Sequence, residues 1–146
     1  MIATLIRLRG LAAARPTAFL PFFLIIFLLA ACSSNEPQVS FQNLEDGQRV
    51  ASPVSVVMEA ENFTIEPAGE IQEGAGHLHI MIDVPCLAPG EVIPKDDNHR
   101  HFGDGSTIAD LELAPGEHTL CLQAADGAHV ALEGDGLTHE ISLTVP

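Results

Sequence analysis

The sequence has 146 residues, with 20 Asp and Glu against six Lys and Arg, and its formal net charge is −14. This negative balance excludes nucleic acid as a partner, because a phosphate backbone requires a basic surface. The chain contains neither Trp nor Tyr, which argues against a surface on which sugars stack.

The N-terminal segment predicts export. Arg7, Arg9 and Arg15 precede the apolar run FLPFFLIIFLL, and the small residues LAAC follow, ending at Cys32. A basic region, a short apolar core and small residues before a cleavage point form an export signal. LAAC resembles the lipobox of bacterial lipoproteins, which implies cleavage before Cys32 and lipid on its thiol. The alternatives are an uncleaved membrane anchor and ordinary cleavage that leaves Cys32 free.

These features divide the chain into a signal peptide (1–31), a lipidated tether (32–38) and one domain (39–146). The protein is expected on the bacterial cell envelope, at its periplasmic or extracellular face, attached to the membrane by lipid on Cys32. A second envelope protein is the other candidate partner. Three of the six basic residues and none of the 20 acidic ones lie in the leader, so residues 32–146 carry a net charge of −17.

From Val39 onward the apolar residues alternate with a period of two, which predicts strands. Pro-Gly and Asp-Gly pairs mark turns, and a long loop is predicted over residues 87–107. Short, regularly spaced strands without a helical stripe predict an all-β fold, an immunoglobulin-like antiparallel β-sandwich. The predicted strands, in chain order, are VSFQNL, SPVSVVMEAENF, GHLHIMIDVPC, IADLELA, EHTLCLQAAD and LTHEISLTVP.

Two cysteines remain in the domain, Cys86 and Cys121. An exported pair of cysteines meets an oxidising environment, so the pair predicts a disulfide that closes a loop of about 35 residues. The alternative is that both thiolates ligate a metal ion.

The third predicted strand carries His77, His79, Met81 and Asp83 at alternate positions, with apolar residues between them. Side chains at i and i+2 of a strand point to the same side, so two imidazoles so placed can ligate one metal ion. A thioether such as that of Met81 is a soft ligand that favours copper(I). Asp83 is predicted to orient an imidazole from outside the ligand shell.

Further histidines follow along the chain. His99 and His101 lie in NHRHFGDG, which is predicted as loop; His118 opens the fifth strand, and Asp126 and His129 lie just past its end. For these residues to meet, the third and fifth strands must be neighbours, and the predicted disulfide would bring those strands together. The predicted site binds copper or zinc through His77, His79, His101, His118, His129, Asp126 and Met81, with Asp83 and His99 as outer partners.

Four segments carry a family resemblance: PAGEIQEGAGHLHIMID, HRHFGDGST, LAPGEHTLCLQAADGAH and EISLTV. They resemble a family of exported bacterial domains known as domain of unknown function 4399, over about residues 39–146. The chain departs from the family pattern at Leu78, Ser106 and Ile108, and the resemblance implies no activity. By that resemblance the family's recurrent polar positions fall on His77, His79, Asp83, His101, His118, Asp126 and His129.

Three functions compete. The favoured one is metal binding for capture, storage or delivery. The alternative is a non-catalytic envelope interaction module in which His and Asp side chains form a structural network. The second alternative is a redox metalloenzyme like superoxide dismutase, which shares a β-sandwich, a strand H-x-H and a disulfide. Arg49, Lys95 and Arg100 are the domain's only basic residues, too few to guide an anionic substrate, so an enzyme is the less favoured interpretation.

Overall fold

The computed structural model describes residues 35–146, so the predicted signal peptide, the lipobox and the lipidation at Cys32 lie outside the described residues. The predicted all-β fold is confirmed. Within residues 35–146 no helix has the length and apolar character needed to span a membrane. A 3-10 turn covers Asp135–Leu137, and the strands are β1 (Gln38–Phe41), β2 (Gln48–Arg49), β3 (Val54–Glu61), β4 (Thr64–Ile65), β5 (Ala75–Ile82), β6 (His99–Phe102), β7 (Ile108–Leu111), β8 (Gly116–Ala125) and β9 (Thr138–Val145).

The strands form two sheets that share one apolar core. The smaller sheet has the order β1-β3-β7, and the larger has the order β2-β9-β8-β5-β4, with β6 paired to β5. Because alternate residues of a strand point to opposite faces, each strand contributes every second side chain to the core. Val56 and Leu111 of the smaller sheet lie in the same buried cluster as Leu78, Leu122 and Ile141 of the larger. The two sheets are therefore layered as in a sandwich.

The larger sheet is mixed rather than purely antiparallel. The two-residue strand β2 pairs in parallel with β9, and β4 pairs in parallel with β5. After β4 the chain returns through a loop to the same end of the sheet, so β5 runs in the same direction as β4. Strands β2 and β4 have two residues each and are too short to show an alternating pattern, so the sequence does not predict them.

Strand β5 is buried on both of its faces. Leu78 and Ile80 face the main core. On the other face, Met81 belongs to a second buried cluster that is covered by Ile93 and Ala131. The covering comes from the segment between β5 and β6, residues 83–98, and from the segment after β8. Strand β5 alternates between apolar and polar residues, and its polar face is buried as well as its apolar face.

Two side chains of β8 hold residues 83–98, the covering segment, in place. Cys121 forms the predicted disulfide with Cys86, across a Cα–Cα distance of 5.6 Å. Gln123, which is 1% exposed, accepts a hydrogen bond from the Leu87 backbone N–H at 3.0 Å and donates one to the Leu87 carbonyl at 2.8 Å. Cys121 and Gln123 point to the same face because they are two residues apart.

Replacing both cysteines, Cys86→Ala with Cys121→Ala, is expected to lower the free energy of unfolding by about 3–4 kcal/mol, because the unfolded chain regains the entropy of a loop of about 35 residues. Urea unfolding followed by circular dichroism measures the change. An unaltered urea midpoint would show that the bridge does not stabilise the fold.

Candidate metal centre

The pairing of β5 decides which histidines meet. The expectation that the third and fifth predicted strands are neighbours is confirmed: β5 pairs antiparallel with β8, with His77 opposite Ala125. The segment predicted as loop around His99 and His101 is instead strand β6, which pairs with the other edge of β5 and sets His101 directly opposite His79. Its alternation covers only four residues, so pairing with β5 rather than local pattern makes it a strand.

A tight turn after β8 supplies the fourth imidazole. The Asp126 carboxylate accepts hydrogen bonds from the backbone N–H groups of Ala128 at 2.8 Å and Val130 at 2.9 Å. His129 lies in this turn with a φ of 69°, in the left-handed region that costs free energy for a residue with a side chain. The sequence predicts Asp126 as a ligand. In the structure its Oδ1 atom accepts both of these hydrogen bonds and so shapes the turn that carries His129.

The imidazoles of His77, His79, His101 and His129 form one cluster, the four-histidine cluster. Their ring centroids lie between 4.6 and 5.8 Å apart in every pairing. The Nε2 atoms of His77 and His79 are 3.0 Å apart, as are those of His101 and His129. One ring nitrogen from each of His77, His101 and His129 lies within 4.8 Å of the others. Ligands of a tetrahedral ion lie about 3.3 Å apart when each bond is about 2.0–2.1 Å, so small side-chain movements bring these nitrogens to one ion.

Burial favours the neutral form of three rings of the cluster, those of His77, His79 and His101. His77 is 0% and His79 is 1% exposed. Desolvation, reinforced by the neighbouring imidazoles, lowers the pKa of His77 to about 4 and that of His79 to about 3. Burial and then the nearby His129 also lower the pKa of His101. Neutral imidazole is the form that ligates a metal ion, so these three rings are in the binding form at neutral pH.

Two nitrogens of the cluster have no protein partner. The Nδ1 atoms of His77 and His79 are buried without a hydrogen-bond partner among the described residues. Leaving a buried polar atom unpaired costs about 1–3 kcal/mol. Buried polar groups in a structural network are normally satisfied, so these nitrogens indicate a ligand site.

The other histidines are each bonded to the protein. The His99 ring donates to Asp96 at 2.7 Å. The His139 ring accepts the backbone N–H of Phe41 at 3.0 Å, and this bond joins the two sheets. His99 and His139 therefore have structural roles, as the alternative interpretation of the sequence proposed for the histidines.

His118 does not join the cluster, although the sequence predicts it as a ligand. Its two ring nitrogens donate to Asp83 and to the Ala114 carbonyl, each at 2.8 Å. Because β8 runs antiparallel to β5, the start of β8 lies beside the end of β5. His118 is seven residues from Ala125, which faces His77, and seven strand residues span about 23 Å. Asp83, predicted to support the metal site, is at this far end too.

Met81 lies on the face of β5 that carries His77 and His79, two residues beyond His79. Its side chain is fully buried beside Cys121, Ile93 and Ala131. The thioether therefore packs as an apolar group next to the cluster.

A cavity of about 250 Å³ opens beside the four-histidine cluster. Three rings of the cluster line it, and so do Val92, Ile93 and Lys95 of the covering segment. Nothing in the alternating pattern of the sequence predicts this cavity, because it depends on where the covering segment lies.

Fold and site together define an all-β domain with a four-histidine cluster, two of whose rings are fully buried and two half-buried, contributed by β5, β6 and the turn after β8. The chain belongs to the family described as Domain of unknown function (DUF4399), whose match spans residues 56–146. All four histidines of the cluster fall within this range. No curated protein and no solved structure matches the chain.

Lowering the pH is expected to destabilise the metal-free protein between pH 6.5 and about 4. The unfolded chain takes up protons on His77 and His79 near pH 6.5, whereas the folded chain resists until their lowered pKa values, about 4 and about 3. The free energy of unfolding then falls by up to about 1.4 kcal/mol per pH unit for each histidine. Urea unfolding across this range measures the slope. It should flatten in His79→Leu, and a wild-type slope in that variant would contradict the assignment.

His118 is expected to show the opposite trend. Its hydrogen bonds to the Ala114 carbonyl and to Asp83 raise its pKa, so the folded state favours the protonated ring. That stability is complete below the unfolded pKa of about 6.5 and is lost as the pH rises through the raised value. His118→Ala should therefore destabilise the protein more at pH 5 than at pH 9 in urea unfolding. Equal losses at both pH values would contradict this role.

Proposed function

We propose that this domain binds one copper or zinc ion through His77, His101 and His129, and that it captures, stores or delivers that ion in the bacterial cell envelope, held to the membrane by lipid on Cys32. The observation that carries the proposal is that ring nitrogens from these three residues lie within 4.8 Å of one another. They come from three separate parts of the chain: β5, β6 and the turn after β8.

The Nε2–Nε2 contact of His77 and His79 allows either ring to be the donor, and the proposal takes His77 as the donor. If His77 Nε2–H donates to His79 Nε2 at 3.0 Å, then His77 Nδ1 carries a lone pair for the ion. This assigns a role to one of the two unpartnered nitrogens. A histidine ligand whose other nitrogen is held by a hydrogen bond is oriented in the way that strengthens metal binding. His79 is then the residue that positions His77.

The donor type favours copper(II) and zinc. Neutral imidazole suits both ions, and copper(II) binds a given nitrogen site more tightly than zinc does. With three protein ligands, a tetrahedral ion keeps one position open to another ligand. Burial by the covering segment also protects the rings from protons, which compete with the ion for the same nitrogens.

Comparison of the buried histidines with the other histidines of the domain argues against a purely structural network. His99 and His118 each donate to a carboxylate, at 2.7 and 2.8 Å. His77 and His79 are more deeply buried, yet each leaves a nitrogen unpaired. Metal binding supplies free energy that offsets the cost of burying these polar rings without partners.

The fragment Ser33–Pro146, the compact unit that contains all described residues, is expected to bind one Cu²⁺ or Zn²⁺ per chain. His101→Ala with His129→Ala should abolish this binding because it removes two of the three ligands. Isothermal titration in a non-coordinating buffer measures it. Thermal unfolding gives a second readout, since metal at 100 times its Kd stabilises the folded state by about 2.7 kcal/mol.

The matched control is His99→Ala with His118→Ala, which also removes two half-buried histidines but leaves the cluster intact. It should bind the metal as the unaltered fragment does. Absence of heat with both metals, or equal loss in both double variants, would sink the proposal. A superoxide turnover assay on the copper-loaded fragment then separates a carrier from a redox enzyme.

A further inference from the structure

The cavity beside the four-histidine cluster has the size and walls of a small-molecule site. Its volume of about 250 Å³ lies just below the range of about 300–1,000 Å³ that is typical of sites for drug-sized ligands. Its lining includes the rings of His79, His101 and His129 and the apolar residues Val92 and Ile93. It therefore adjoins two of the three proposed ligands and fits a small, partly apolar molecule.

The charges beside the cavity indicate which chemical group the small molecule carries. Three neutral imidazoles leave both positive charges of a divalent ion uncompensated. Asp126, whose charge acts on His77, has one oxygen committed to two backbone N–H groups. Lys95, one of three basic residues among residues 35–146, lines the cavity and adds a further positive charge. A lysine beside a metal ion opposes cation binding unless an anion lies between them.

One of the residues that line the cavity also has a ring nitrogen without a hydrogen-bond partner among the described residues. His79 lines the cavity, and its Nδ1 atom is buried without a partner. When its Nε2 accepts from His77, the neutral His79 ring carries its proton on Nδ1. This N–H has no acceptor among residues 35–146, and a carboxylate would supply one.

We propose that the cavity binds a small carboxylate with a short apolar tail: its carboxylate takes the open position on the metal ion and pairs with Lys95, while its tail packs against Val92 and Ile93. The proposal rests on the metal site proposed above. It makes the domain a receptor for a metal–carboxylate pair rather than for the bare ion.

The test titrates the Cu²⁺-loaded fragment Ser33–Pro146 with acetate and with butyrate, after metal loading has been established by titration. The visible absorption and electron paramagnetic resonance of the copper report on binding at the ion. Both anions should change these spectra. Butyrate should bind more tightly, by up to about fourfold for each added methylene that is buried.

Lys95→Ala should weaken both anions by up to about fivefold, because it removes the charge partner of the carboxylate. The matched control is Arg49→Ala, which deletes one exposed positive charge in β2. Arg49 lies opposite Thr144, which pairs with Glu117 at the far end of β8, so this variant should bind as the unaltered fragment does. Val92→Ser should reduce the preference for butyrate and leave acetate binding unchanged.

Two results would overturn the inference while leaving the metal site standing. One is a copper spectrum that neither anion alters. The other is equal anion affinity in Lys95→Ala and Arg49→Ala. Failure of the fragment to load metal would instead overturn the proposed function, and it is seen before any anion is added.

Discussion

Burial of the second face of β5 is the constraint on which the site depends. A strand that packs one face on the core of an antiparallel sheet commonly leaves the other to water. Here Cys121 and Gln123 of β8 hold the covering segment over that face, and His77 and His79 lose their contact with water. Desolvation keeps both imidazoles neutral, and a neutral ring is what a metal ion requires. The covering segment is thus as much part of the site as the rings are.

The antiparallel register then sorts the histidines into two environments. At one end of the β5–β8 pair, His77 and His79 are buried among other imidazoles, and their pKa values are lowered. At the other end, His118 has an acceptor at each ring nitrogen and its pKa is raised. The same residue type on the same pair of strands thus gives neutral rings at one end and, at the other, a hydrogen-bonded ring whose pKa is raised. The hydrogen-bond partners of a histidine and its contact with water decide its role, and lying on a strand does not decide it.

The sequence predicts the longer strands and the disulfide because each rests on a local or compositional rule. Alternation over eight or more residues marks β3, β5 and β8, and an exported cysteine pair indicates a bridge. Which histidines join the four-histidine cluster depends instead on the register and direction of the paired strands. His118 is assigned wrongly to one cluster with His77 because the direction of β8 relative to β5 is not visible in the pattern. Gln123, which holds the covering segment, carries no signal at all: its role is two hydrogen bonds to a residue 36 positions away.

The charge of the domain acts on two scales. Between residues 32 and 146 there are 20 acidic side chains and three basic ones, and such a field raises the local concentration of every cation without distinguishing among them. Discrimination must therefore come from the imidazole donors, which prefer copper and zinc over hard cations such as calcium and magnesium. Beside the cavity, Lys95 locally opposes the general field. An acidic surface with one lysine at the cavity therefore favours cations at long range and an anion close to the lysine.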